Sequence, residues 1–263
     1  MRSIRVCAFV FLAASLALAQ TPVVDSGGVG NATALLTTLT PGSLVSIYGK
    51  ELAAAFTAPD TIPYSNAIAG VTVTFNNVIA PLLFVAPGQI NAQLPFNVLP
   101  DGVTSGRVNL VVTRSGVSSP PEPVQIGPFS PGIFSIPAFA GYAIAITLQG
   151  EIAAPANAIP GYPTRPARTG DTLQILANGL GAVDGPVTNG APPTALRQTT
   201  TVPNVLVGGV SVTPGFSGLS PQFPGVNQVN IQVPAAAPRG NSVPLQFQVG
   251  GLTSTDKVVI AIQ

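Results

Sequence analysis

Residues 89–95 read Gln89-Ile90-Asn91-Ala92-Gln93-Leu94-Pro95, and residues 228–234 read Gln228-Val229-Asn230-Ile231-Gln232-Val233-Pro234. The same phrase, amide alternating with apolar residue and closing on proline, is written twice. A repeat of two is the repeat of a β-strand, whose successive side chains point to opposite faces. Ile90, Ala92 and Leu94 then share one face, with Gln89, Asn91 and Gln93 on the other. In the second copy, Val229, Ile231 and Val233 oppose Gln228, Asn230 and Gln232. The apolar rows are expected to enter a core. The amide rows have two readings. They either bond neighbouring loop backbone and pin the adjoining turn, or form an exposed ladder for sugar hydroxyls or another strand. Two copies so far apart point to two units of one kind.

The matches extend outward from that phrase. Pro41-Gly42-Ser43-Leu44-Val45-Ser46-Ile47-Tyr48-Gly49 is answered by Thr169-Gly170-Asp171-Thr172-Leu173-Gln174-Ile175-Leu176-Ala177. Val71 to Phe75, a turn at Asn76-Asn77 and a return over Val78 to Val85 are answered by Asn204 to Val207, Gly208-Gly209 and Val210 to Thr213. The 28 glycines and 28 prolines punctuate short apolar runs, as the turns of an all-β sandwich do. The fold expected is all-β, with two tandem β-sandwich modules. Residues 1–19 read as a signal peptide, 20–38 as a flexible leader and 39–128 as the first module. Residues 129–168 read as a hairpin and Pro-rich connector, and 169–263 as the second module.

The signal reading rests on Arg2 and Arg5, the apolar run Val6 to Leu18 and the small residues Ala17-Leu18-Ala19. It makes the protein secreted, extracellular or bound at the cell surface, with no membrane span once the signal is removed. Interrupted by Gly132, Pro137 and Gly141, the uncharged stretch 133–148 is too short to cross a bilayer, which takes about 20 residues. Ten Lys and Arg balance nine Asp and Glu, and charged residues are 7% of the chain where about a quarter is usual. No basic patch invites nucleic acid. With 46% apolar residues, the chain has enough to bury. A surface so poor in charge resists self-association weakly, so self-association or a cell-envelope or extracellular protein or polysaccharide partner is expected.

One family resemblance spans roughly residues 39–262. Its motifs are Pro41 to Gly49, Ala80-Pro81-Leu82-Leu83-Phe84-Val85-Ala86-Pro87-Gly88-Gln89-Ile90-Asn91, Pro131-Gly132-Ile133-Phe134, Asn178-Gly179-Leu180-Gly181 and Gly225 to Pro234. The chain resembles the Solibacter-type C-terminal domain, a secreted bacterial family related in pattern to TIG/IPT immunoglobulin-like modules. The resemblance brings no activity and no catalytic residues with it.

The residues themselves favour no catalysis. There is no histidine, and Cys7 lies inside the signal-like run, so Ser-His-Asp and Cys-His nucleophile chemistry is excluded. Lys50 and Lys257 are the only lysines. Usual nitrogen and sulfur ligands for zinc or haem are missing, and neither metal nor cofactor is expected. The loop between Asp184-Gly185 and Asn189-Gly190 has oxygens that calcium could use, but it reads as a pair of turns. Asn31-Ala32-Thr33 matches a glycosylation sequon by chance. Tyr64, Tyr142 and Tyr162 lie near Pro or Gly, where they pack turns or stack on sugar rings. The expected function is therefore non-catalytic binding, adhesion or structural contact at the cell surface or in the extracellular matrix. The alternatives are a polysaccharide-binding module, marked by a groove with aromatics, and a carboxylate-based hydrolase, marked by two carboxylates facing across a cleft.

Overall fold

The structure, a computed structural model, describes residues 20–34, 36–254 and 257–263. The signal reading of 1–19 lies outside the described residues. Every regular element among the described residues is a strand, so the protein is all-β. No described helix is long and apolar enough to cross a membrane.

Among the described residues, four sheets enclose two main cores. In the N-terminal half, the first sheet runs Val23–Asn31, Leu44–Lys50, Gln89–Gln93, Leu82–Val85, all antiparallel. The second runs Thr38–Leu39, Glu122–Ile126, Gly106–Arg114, Val71–Phe75, Val78–Ile79, with Val117–Ser118 also on Gly106–Arg114. Alternation decides which side chains meet. Val45, Ile47, Ile90 and Ala92 of the first sheet and Val73, Phe75, Leu110 and Val112 of the second belong to one buried cluster. Two sheets closing over interdigitated inner faces make a sandwich.

The C-terminal half repeats the order. Thr172–Asn178, Asn227–Gln232 and Phe216–Leu219 lie side by side, as Leu44–Lys50, Gln89–Gln93 and Leu82–Val85 do. Across the core, Val259–Ile262, Gly240–Val249, Asn204–Val207 and Val210–Val212 answer Glu122–Ile126, Gly106–Arg114, Val71–Phe75 and Val78–Ile79. Even the parallel edge recurs: Thr38–Leu39 runs parallel to Glu122–Ile126, and Tyr142–Ala143 parallel to Val259–Ile262. The hairpin turns match too. Asn76 and Asn77 have φ of 47° and 66°, Gly208 and Gly209 of 57° and 85°. Two successive positive φ angles make the tight turn whose twist suits flanking strands, and Asn or Gly tolerates it.

Three expectations are corrected. The segment 20–38 is no loose leader, because Val23–Asn31 is an edge strand paired to Leu44–Lys50. Asp25 to Gly30, with three glycines and a serine among its six residues, has few groups to bury, but strand pairing is a backbone bond and needs no side chain. Segment 129–168 holds the expected hairpin, Ala145–Thr147 against Ile152–Ala153, but is no mere connector. It supplies six short strands, of which Gly132–Ile133 and Ala145–Thr147 pair with Thr172–Asn178. Both segments do the same job, bordering the first long strand of their half. The third correction concerns 78–85: Val78–Ile79 stays with Val71–Phe75, whereas Leu82–Val85 joins the opposite sheet after Ala80-Pro81. Proline has no N–H for the ladder, and the chain changes sheet there.

Candidate functional site

Both amide strands sit between two neighbours and turn their apolar face to a core. Ile90, Ala92 and Leu94 are fully buried, as are Val229, Ile231 and Val233 to within 2%. On the other face, Gln89 Nε2 donates to Asn91 Oδ1 at 2.9 Å, and Gln228 Nε2 donates to Asn230 Oδ1 at 2.9 Å. These four amides are half-buried. The pair is the same in both halves because residues two apart on a strand share a face.

The third amide differs. Gln93 is 0% exposed. Its Nε2 donates to the Gly42 carbonyl at 3.0 Å, and its Oε1 accepts from the Gly190 N–H at 2.6 Å. Gln93 thus ties its own half's Pro41-Gly42 turn to a loop of the other half. Gln232 is exposed, with no side-chain partner among the described residues.

Gln93 belongs to a seam of buried amides between the halves. Asn178 accepts from Leu44 N–H at 2.9 Å and donates from Nδ2 to the Leu44 carbonyl and to Asn31 Oδ1, both at 2.8 Å. Asn31 Oδ1 also accepts from Thr33 N–H and Oγ1, and its Nδ2 donates to the Ser130 carbonyl at 2.6 Å. Both asparagines are 0% exposed. Every amide atom is engaged, which in a low-dielectric interior fixes one arrangement of the halves. Close approach requires glycine here: a Cβ on Gly179 (φ +71°) would overlap the Ser130 carbonyl oxygen. The sequon asparagine is therefore a packed seam residue.

The calcium-like loop also serves the seam. Asn189 Oδ1 accepts from Phe96 N–H at 2.9 Å, and Asp184 Oδ1 from Gln198 N–H at 2.7 Å. No cluster of three metal-binding side chains occurs among the described residues. Two carboxylates do come together, on one arginine: Arg165 Nε lies 2.6 Å from Glu151 and Nη1 lies 2.7 Å from Asp171. Burial pushes the Asp171 carboxyl up. The hydrogen bonds from Arg165 and the Arg168 N–H, with both arginine charges, outweigh this and hold it below its usual range. The bond that Arg165 donates to Asp171 in turn raises the arginine's own pKa. Arg165 thus holds the two acids together as a three-membered ion-pair network.

Several open grooves lie on the surface of the described residues, and two of them bear on the sequence candidates. One, about 790 Å³, lies over the second amide strand and is lined by Thr172, Thr213, Phe216, Asn230 and Gln232 among others. The second, about 400 Å³, is apolar and is lined by Tyr64, Phe134, Ile146, Tyr162, Leu176 and Phe223 among others. Burial raises the Tyr64 hydroxyl pKa. Tyr142 instead packs beside Ile152, Ala154 and Ile159. The sequence drew attention to Asn230 and Gln232 and passed over Thr172, Thr213 and Phe216. Register brings these together: Thr172 stands opposite Gln232 and Phe216 opposite Asn230. Asn31 and Asn178 were equally hidden, since the partner of Asn178 is 134 residues away.

No protein-family model and no curated protein matches the chain. Among solved structures it is similar to a surface glycan-binding protein from Prevotella bryantii, 12% identical over 89% of this chain and 41% of that one, with a TM-score of 0.27. It is similar to domains 5–6 of the S-layer protein SbsC, 11% identical over 91% of this chain and 99% of that one, TM-score 0.27. It is also similar to a Gamma-CGTase from Alkalophilic bacillus clarkii, 13% identical over 89% of this chain and 24% of that one, TM-score 0.27. The chain spans about two fifths of the length of the first of these.

Proposed function

We propose that this is a secreted, non-catalytic β-sandwich protein of the TIG/IPT-like immunoglobulin kind, acting by contact at the cell surface or in the extracellular matrix. The observation that carries the reading is the seam. Buried amides hold the halves in one arrangement, so the outer sheet faces form a single preorganised platform. A platform ordered before contact loses less freedom on binding. Its low charge suits contact with a neutral partner, since an acidic polymer would call for arginine and lysine.

The test uses the mature chain, residues 20–263, against its own isolated cell envelope. Cosedimentation should be saturable and should change little between low and high salt. Failure to cosediment, or retention lost entirely in moderate salt, would refute the proposal.

A further inference from the structure

We propose that the groove over the second amide strand binds an uncharged polysaccharide. This rests on the contact reading above and names the ligand class for one face of the platform. Four observations lead to it. First, the groove is open and about 790 Å³, within the range of sites that hold small ligands, about 300–1,000 Å³.

Second, its walls carry no ionisable side chain: the polar groups are Thr and amide side chains and backbone. An acidic polymer would find no cation there to pair with, and a cationic ligand no carboxylate.

Third, hydrogen-bonding capacity is left over in the groove. Gln228 occupies Asn230 Oδ1, but Asn230 Nδ2 has no acceptor among the described residues. Gln232 retains its whole amide. Side-chain amides offer both donors and acceptors, which is the pattern that hydroxyl pairs on a sugar ring complement. The half-exposed ring of Phe216, directly across from Asn230, adds a flat apolar surface for the C–H face of the same ring.

Fourth, the edge beside the groove is already taken. Thr199 N–H donates to the Ser217 carbonyl at 2.8 Å and Leu219 N–H to the Arg197 carbonyl at 2.9 Å. A peptide adding as a strand there would have to displace residues 197–199, so side chains and not a free ladder face the ligand.

Affinity electrophoresis of the mature chain tests this, with dextran, mixed-linkage β-glucan, glucomannan and arabinoxylan as uncharged polymers and alginate and polygalacturonate as charged ones. Retardation is expected in at least one uncharged gel and in neither charged gel. Phe216→Ala and Asn230→Ala should each weaken it at least tenfold, and Gln232→Ala at least threefold. Gln89→Ala, on the other amide strand, should leave it unchanged. Gln232→Ala removes no bond within the fold, so its effect cannot come from misfolding. No retardation in any uncharged gel, preferential retardation by the acidic polymers, or unchanged retardation in all three groove variants would overturn the proposal. Envelope binding separates the two readings. If it survives the groove variants and is destroyed by protease treatment of the envelope, the contact reading stands and the polysaccharide site does not. If neither envelope nor polymer is bound, both fall.

Discussion

The two amide strands have nearly the same sequence and opposite uses. In each, a glutamine and an asparagine two residues apart bond to one another on the outer face. The difference is in the third amide. Gln93 is enclosed and spends both ends of its side chain on backbone, one in its own half and one across the seam. Gln232 faces solvent at the rim of a groove. A repeated motif thus fixes a strand and its faces, while the role of its outer row is set by what the other half places over it. The first copy is covered at Gln93, and the second is open at Gln232.

The contrast can be broken hardest at the seam. Asn178→Ala would strand the Leu44 N–H and remove one bond each from the Leu44 carbonyl, which keeps the Ala32 N–H, and from Asn31 Oδ1, which keeps Thr33. A buried donor left unpaired costs about 1–3 kcal/mol and each further bond lost about 0.5–1.5, so a loss of about 3 kcal/mol is expected. Calorimetry should show Tm lower by about 6–12 °C for a chain of this size, with the two halves no longer melting together. An unchanged Tm would mean that the seam does not hold them.

Next comes the covered strand. Gln93→Ala should cost roughly 1–3 kcal/mol, because the Gly190 N–H loses its acceptor inside the protein. Denaturant unfolding with a smaller loss than that of Gln89→Ala would erase the distinction drawn between the two amides.

Acid should act unequally on the halves. The Asp171 carboxyl is held below its ordinary range when folded. A depressed carboxyl stabilises the fold above its unfolded pKa, and that contribution fades as pH falls toward the folded value. Melting followed from pH 7 down to pH 2 should therefore lose stability at the acid end, and Asp171→Asn should flatten that limb. An equal acid slope in the variant would assign the loss elsewhere.

The smallest effect belongs to the open strand. Gln232→Ala should melt within about 0.5 kcal/mol of wild type. A larger shift would show that the exposed amide is structural after all.

Much of this fold was legible because alternation and turn chemistry are local. The pattern of Val71 to Phe75, the Asn76-Asn77 turn and both amide phrases predict strands and faces directly. Segments 20–38 and 129–168 escaped that reading. Gly27, Gly28 and Gly30 weaken the period in the first, and prolines break up the second, yet both pair through backbone alone. The seam was illegible for a different reason. Asn31 sits in a chance sequon and Asn178 ahead of a glycine, and neither context names a partner on the far side of the fold. Of the groove, Asn230 and Gln232 were visible as a row. Phe216 and Thr172 joined them only through strand register.

The long reach from Leu44 to Asn178 also sets an order of events as the chain emerges. Residues 20–128 appear first, with the Leu44 backbone, Asn31 and Gln93 still waiting for residues 130, 178 and 190. Until then the future seam is a wet, incomplete surface on a nearly finished sandwich. Emergence is vectorial, and domains generally fold from the N-terminus, so the early half is at its most adhesive while the late half is still being delivered. A chain truncated before Asn178 would keep that unfinished face for its whole lifetime, and such fragments should cluster or be degraded where the full protein is not.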